Sequence, residues 1–249
     1  MIENNRTVEY LKSIKKYRPI PLPKTGQPRN SRDDINLVIY SNYKHYHDEI
    51  CRSSAKKRKV IFEDEATVER LCVRARGRSP YPWTGVLAHG CRNGVFLNYI
   101  AQSLGVSVDG TELSPAASQA NKRLVKGGWD FHEIKPEWQE KYDMIWSSSF
   151  CHAYDPYKAI QQWMKCVKRG PTGCAVVLHH APGSDSKQVE RDIPFGANLD
   201  ETILLINAAG RDKRNGGRNF HVETVWNKSD GVSWERSKFK RYIVVVPTR

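Results

Sequence analysis

The stretch Gly85-Val86-Leu87-Ala88-His89-Gly90-Cys91-Arg92-Asn93-Gly94 decides the fold class. A short apolar run, Gly85–His89, ends at a glycine, and a helical pattern opens at Val95. Two glycines at such a strand-to-helix turn let the backbone approach a ligand and aim amide donors at it. The spacing is G-x-x-x-G, so the G-x-G-x-x-G of dinucleotide sites is absent. Val95–Leu104 reads as a helix and Val106–Gly110 as a second strand, which runs into Asp109-Gly110-Thr111-Glu112-Leu113-Ser114-Pro115. Pro115 suits a first helical position and Ser114 the cap before it. Glu112 is then left at the strand end, where a carboxylate can accept hydrogen bonds from the ribose hydroxyls of a nucleoside.

The alternation continues on both sides of these two strands. Pro115–Leu124 predicts a helix, Trp129–Phe131 a third strand and Tyr142–Ser147 a fourth. Pro156–Val167 predicts a helix and Cys174–His180 a fifth strand. Asn198 with Glu201 three residues on forms a capping pair, and Gly210 is expected to end that helix. Two closing strands, Phe220–Trp226 and Arg241–Val246, have no helix of convincing length between them and suit an antiparallel edge. Strands alternating with helices indicate a parallel sheet covered on both faces.

Towards the N-terminus the pattern is helical. Val8, Leu11 and Ile14 share one face of a short helix, which Pro19, Pro21 and Pro23 break. A polar linker to about Arg32 and a helix over 33–52 follow. Glu63, Asp64 and Glu65 then lead a helical pattern that Arg74, Arg76 and Gly77 close. The expected organisation is a basic helical extension or lid over 1–80 and a larger α/β domain over 81–249.

The series Val86–Gly94, Asp109–Pro115, Trp129-Asp130-Phe131-His132-Glu133-Ile134, Lys141–Ser149, His152–Pro156 and Val167–Gly173 resembles, in order, the class I S-adenosylmethionine-dependent methyltransferases. The resemblance covers about residues 83–249. It implies a Rossmann-like, seven-stranded, mostly parallel sheet with helices on both faces and an antiparallel last strand. It also implies S-adenosylmethionine as cofactor and methyl transfer to an acceptor. Gly90, Cys91 and Gly94 would pass under the methionine part of the cofactor. Glu112 would hold the ribose, and Leu113 would lie against the adenine. Asp130 would meet the adenine amino group, with Phe131 flanking the ring. Ser147 would line the methionine side. One position departs from the family: Ala88 stands where an acidic residue usually helps to place the cofactor's amino group.

Methyl transfer from an activated carbon needs placement above all, and a general base only where the acceptor carries a proton to lose. The candidate bases near the strand ends are His152, Tyr154, His179 and His180, with His152 first and Tyr154 next. His45-x-His47 and His179-His180 lack the neighbouring ligands of a metal site, and no metal is expected.

The chain of 249 residues is 39% hydrophobic and 27% charged, and 40 Lys+Arg against 27 Asp+Glu give +13. No apolar run approaches the about 18–20 residues that cross a bilayer, so no membrane span is expected. Six scattered cysteines without a C-x-x-C pair suit free thiols in the cytoplasm. The basic surplus makes nucleic acid a possible partner, through Lys56-Lys57-Arg58-Lys59 with Arg74, Arg76 and Arg78, or through Arg211, Lys213, Arg214 and Arg218. Tyr40, Tyr43 and Tyr46 recur every three residues, as on a packed helix face. Two functions follow: a methyltransferase acting on an unidentified acceptor, with a small molecule favoured, or a non-catalytic or RNA-binding protein on the same fold.

Overall fold

The computed structural model describes residues 5–24, 35–61, 63–121, 125–169, 175–180, 189–216, 218–227 and 241–248. The chain enters through α1 (Arg6–Ser13), β1 (Tyr17–Pro21), β2 (Ile35–Ile39), α2 (Tyr43–Lys56) and α3 (Glu65–Arg76). The expected helix over 33–52 is therefore wrong at its start: Ile35–Ile39 is a buried strand, and only from Tyr43 does the chain turn helical. The run Ile35-Asn36-Leu37-Val38-Ile39 is rich in β-branched residues, which pack well on a pleated surface. It pairs in parallel with β1 and antiparallel with the two-residue β8 (Phe195–Gly196). The extension is thus not purely helical. Asn42 caps α2 by accepting the His45 N–H, and Asp64 caps α3 by accepting that of Thr67.

The main sheet takes in β3 (Gly85–His89), β4 (Ser107–Glu112), β5 (Val125–Gly127), β6 (Met144–Ser147), β7 (Ala175–His180), β9 (Phe220–Asn227) and β10 (Arg241–Pro247). Its order is β5-β4-β3-β6-β7-β10-β9. The first five of these are parallel neighbours, and β10 runs antiparallel to both β7 and β9. The third strand falls at Val125–Gly127, ahead of the expected Trp129–Phe131, and leaves Asp130 and Phe131 in a loop. The helices are α4 (Val95–Leu104), α5 (Pro115–Ser118), α6 (Pro156–Cys166) and α7 (Leu199–Arg211).

Strand alternation sends neighbouring side chains to opposite faces. On β3, Val86 and Ala88 join Leu71 of α3 and Leu97 of α4, whereas Leu87 joins Trp163 of α6 and Leu205 of α7. Tyr242, Val244 and Val246 against Ile243 and Val245 repeat the split on β10. Asn198 and Glu201 form the capping box of α7. Gly210 does not end that helix: a Cβ there would lie 1.9 Å from the Phe220 carbonyl oxygen, so glycine permits α7 to press on β9.

The extension is tied to the sheet domain by buried contacts. The Asp155 carboxylate caps α6 and also accepts from the Arg6 and Thr7 amides and the Thr7 hydroxyl at the start of α1. Val38, Tyr40, Tyr46 and Ile50 form a small core with Leu113 and Tyr154. No helix among the described residues is long and apolar enough to cross a membrane.

Candidate active site

Beside β3 the sheet order reverses, with β4 on one flank and β6 on the other. The crevice outside the carboxyl ends of such strands is where open α/β sheets bind ligands. A recess open to solvent lies there. It is lined by Gly90, Glu112 and Leu113, Asp130 and Phe131, Ser149 and His152, with Tyr46 and Ile50 of α2 above them. Five of the eight residues expected to hold a cofactor therefore meet at one place.

The turn after β3 is held tightly. Gly90 and Gly94 have φ values of 69° and 67°, in the left-handed region. A Cβ on Gly90 would lie 2.4 Å from Ser149 Oγ, so only glycine lets this turn meet the end of β6. Arg92 also adopts a left-handed φ of 50°, which costs a non-glycine residue energy. Glu112 compensates: Oε2 accepts the Arg92 N–H at 2.8 Å and Oε1 accepts the Ser114 N–H at 3.0 Å. Burial pushes the Glu112 carboxyl up, and these amides pull it back.

Three expected residues do not line the recess. The Cys91 thiol donates to the Ala88 carbonyl, and its own N–H is taken by Thr111. Gly94 turns inward, where a Cβ would meet Val125 at 2.4 Å. Ser147 donates to the His89 carbonyl and accepts the Ser149 amide. The resemblance implied a cofactor contact for each, but the Cys91 and Ser147 side chains and the Gly94 backbone serve the turns themselves, and it is Ser149 that faces the recess.

Asp130 accepts hydrogen bonds from the Tyr43 hydroxyl, the His132 amide and His132 Nδ1. These three hydrogen bonds hold its carboxyl at about 2 despite burial. His132 Nε2 accepts the Asp155 amide, so its ring is fixed with the proton on Nδ1. The sequence does not single out His132, because Asp155, Tyr46 and Tyr154, which fix its ring alongside Asp130, come from elements distant in sequence. Its only local signal was its place two residues after Asp130.

His152 lines the recess, and its Nδ1 donates to the Asp192 carbonyl. Burial pushes its pKa down, so the ring is neutral and Nε2 keeps its lone pair. Tyr154 packs instead inside the aromatic cluster, 3.9 Å from the His132 ring and 4.7 Å from that of Tyr46. The side chains of His179 and His180 lie outside the described residues. His45 meets Ser41, and His47 meets Cys51.

Residues 87–180 match the family described as "Methyltransferase domain". No curated protein matches the sequence. Among solved structures, a chain of the complex between the Haloferax volcanii Trm112 methyltransferase activator and a methyltransferase aligns at TM-score 0.54 and 16% identity. That alignment covers 81% of this chain and 96% of the other. Streptomyces venezuelae DesVI aligns at 0.53 and 13%, over 84% and 100% of the two chains. The [4+2]-cyclase SpnF aligns at 0.52 and 12%, over 82% and 93%. These likenesses describe the fold.

Proposed function

We propose that this chain, a class I S-adenosylmethionine-dependent methyltransferase whose cofactor is S-adenosylmethionine, methylates a small-molecule acceptor under its N-terminal extension. The observation that carries the acceptor class is the closure over the strand ends. Tyr43 bonds Asp130, Tyr46 bonds the His152 carbonyl, and the Cys51 thiol meets the Leu113 carbonyl, all three from α2. A cover of this kind excludes water and limits the acceptor to what enters the recess.

The residues present fit the cofactor. Glu112 is a buried carboxylate at the end of β4 that accepts from two amides and the Ser54 side chain and keeps a lone pair beyond these, suited to a ribose hydroxyl. Leu113 and Phe131 supply apolar walls for the adenine, and Asp130 an acceptor beside them. Gly90 leaves room for the backbone to run against the ligand. When bound, S-adenosylmethionine supplies a methyl group already activated by its sulfonium. His152 would take the acceptor's proton at Nε2, with Nδ1–H anchored on Asp192. Tyr154, buried in the aromatic cluster, would support His132 rather than act on the acceptor.

The test is methyl transfer from labelled S-adenosylmethionine into a mixture of small metabolites, RNA and protein. Label in the small-molecule fraction supports the reading, and label in nuclease-sensitive material replaces it with the RNA alternative. S-adenosylhomocysteine should raise the melting temperature, since a ligand of the native state stabilises it. No shift at millimolar ligand would overturn the cofactor assignment.

A further inference from the structure

Glu63 lies between α2 and α3, one residue before the cap Asp64. It is only 4% exposed, and its Oε1 has no hydrogen-bond partner among the described residues. Its carboxylate meets Ser148, the residue just after β6, and its charge acts on Cys91 and Arg92 in the turn after β3. Glu63 therefore sits beside the residue that follows β6 and the turn that follows β3, the two strands that meet at the reversal in sheet order.

A buried carboxylate oxygen without a partner is costly, and it persists where something else satisfies it. The local charges say what is missing. Arg92 faces three carboxylates, Glu63, Glu112 and Asp192. Lys57 pairs with Asp192 at 2.8 Å. Acids thus outnumber bases in this corner, which leaves room for one more positive charge. The neighbouring acid cannot be the spare one, because Asp64 accepts both the Thr67 amide and hydroxyl. The β3 strand supplies none, since Ala88 is fully buried and apolar.

We infer that Glu63, an acid of the N-terminal extension, holds the α-ammonium group at the methionine end of the cofactor. The inference rests on the cofactor reading above and extends it. The extension is then part of the binding site as well as its cover. Ser148 orients the carboxylate, and Arg92 stands beside it without using up its Oε1.

The test compares two ligands that share the nucleoside but not the amino-acid end. Wild type and Glu63→Gln are titrated calorimetrically with S-adenosylhomocysteine and with 5′-methylthioadenosine. Loss of a charge-assisted bond should weaken S-adenosylhomocysteine at least roughly tenfold and leave 5′-methylthioadenosine within about twofold. Should Glu63→Gln fail to fold, Glu63→Asp, which draws the charge back by one methylene, should show the same selective loss. Equal affinities in wild type and variant, or parallel losses for both ligands, would overturn the inference and leave the cofactor reading intact. A wild-type protein that binds neither ligand overturns both.

Discussion

The Tyr43 hydroxyl donates to Asp130 at 2.8 Å, joining positions 87 residues apart. One belongs to the first turn of α2 and the other to the loop after β5, so the bond latches the extension to the rim of the recess. A hydrogen bond to a charged group contributes about 1.5–3 kcal/mol, and less where it is exposed, as here. Tyr43→Phe removes the latch and little else. We expect S-adenosylhomocysteine to dissociate roughly fivefold faster in stopped-flow measurements, about 1 kcal/mol, with the fold intact. An unchanged rate would mean that α2 does not gate the recess.

Glu112 joins two turns, because its oxygens accept amides from Arg92 and Ser114. Glu112→Ala leaves the buried Ser114 amide and the half-buried Arg92 amide without their acceptor, at up to about 1–3 kcal/mol each. Denaturant midpoints should fall accordingly, and affinity for S-adenosylhomocysteine should drop at least roughly tenfold. Glu112→Gln keeps the volume and one acceptor, and should lose less of both. A stability loss with unchanged affinity would confine Glu112 to holding the turns.

The parts of the molecule that were legible in the sequence rest on contacts a few residues apart. Ser114 before Pro115, Asn198 with Glu201, and Asp64 at the head of α3 all cap helices. Each works through a side chain bonding an amide three residues on. What could not be read depends on pairing across the chain. Ile35–Ile39 fits an apolar helix face equally well until β1 and β8 flank it. Val125–Gly127 is too short to show a period, and its partner β4 makes it a strand. Gly210 carried the signature of a helix end, but its smallness serves a contact with Phe220. At the site, Glu112 is readable as a strand-end acid and Asp130 only through the family resemblance, whereas Ser149, His132 and Glu63 depend on neighbours supplied by other elements.

Gly210 gives a direct check of that packing. A Cβ would overlap the Phe220 backbone, which cannot yield as a flexible side chain can. Gly210→Ala should therefore destabilise by about 1–3 kcal/mol or more, although alanine is the better helix former. A stabilised variant in chemical denaturation would show that α7 and β9 are not in this contact.

His89 makes stability depend on pH. It is fully buried, bonds Thr111 through Nδ1 at 2.8 Å and stacks on Trp163. Burial lowers its pKa from 6.5 to about 3. Between those values the unfolded chain binds a proton that the native ring refuses, so stability falls as pH drops below 6.5. His152 is lowered by burial as well and acts in the same direction. Glu63 and Glu112 are raised and act oppositely, their contribution falling as pH rises through their folded values. In proton resonance spectra the His89 ring should stay neutral until pH approaches 3. A titration near 6.5 would contradict its burial.

The basic clusters separate a small-molecule acceptor from a nucleic acid. In the cluster after α2, Lys57 is committed to Asp192, while the side chains of Lys56, Arg58 and Lys59 face solvent. In the other cluster Arg214 pairs with Asp212 and Glu9, and Arg218 with Glu140 and the Val167 carbonyl. Phosphate contact would therefore fall first to Lys56, Arg58 and Lys59. Each phosphate neutralised on a single strand adds about 0.7 to the slope of log affinity against log salt. Replacing those three residues with alanine, and sparing Lys57, would then lower the slope of any RNA binding by about two. On the reading favoured here, RNA binds only at low salt and the triple variant keeps its affinity for S-adenosylhomocysteine and its transfer to a small acceptor. Lys57→Ala should behave differently, because it releases Asp192, whose backbone carbonyl anchors His152. Transfer should fall in that variant even though RNA binding is unchanged. A triple variant that loses methyl transfer in proportion to its loss of RNA affinity would make the exposed cluster a substrate-binding surface and the acceptor an RNA.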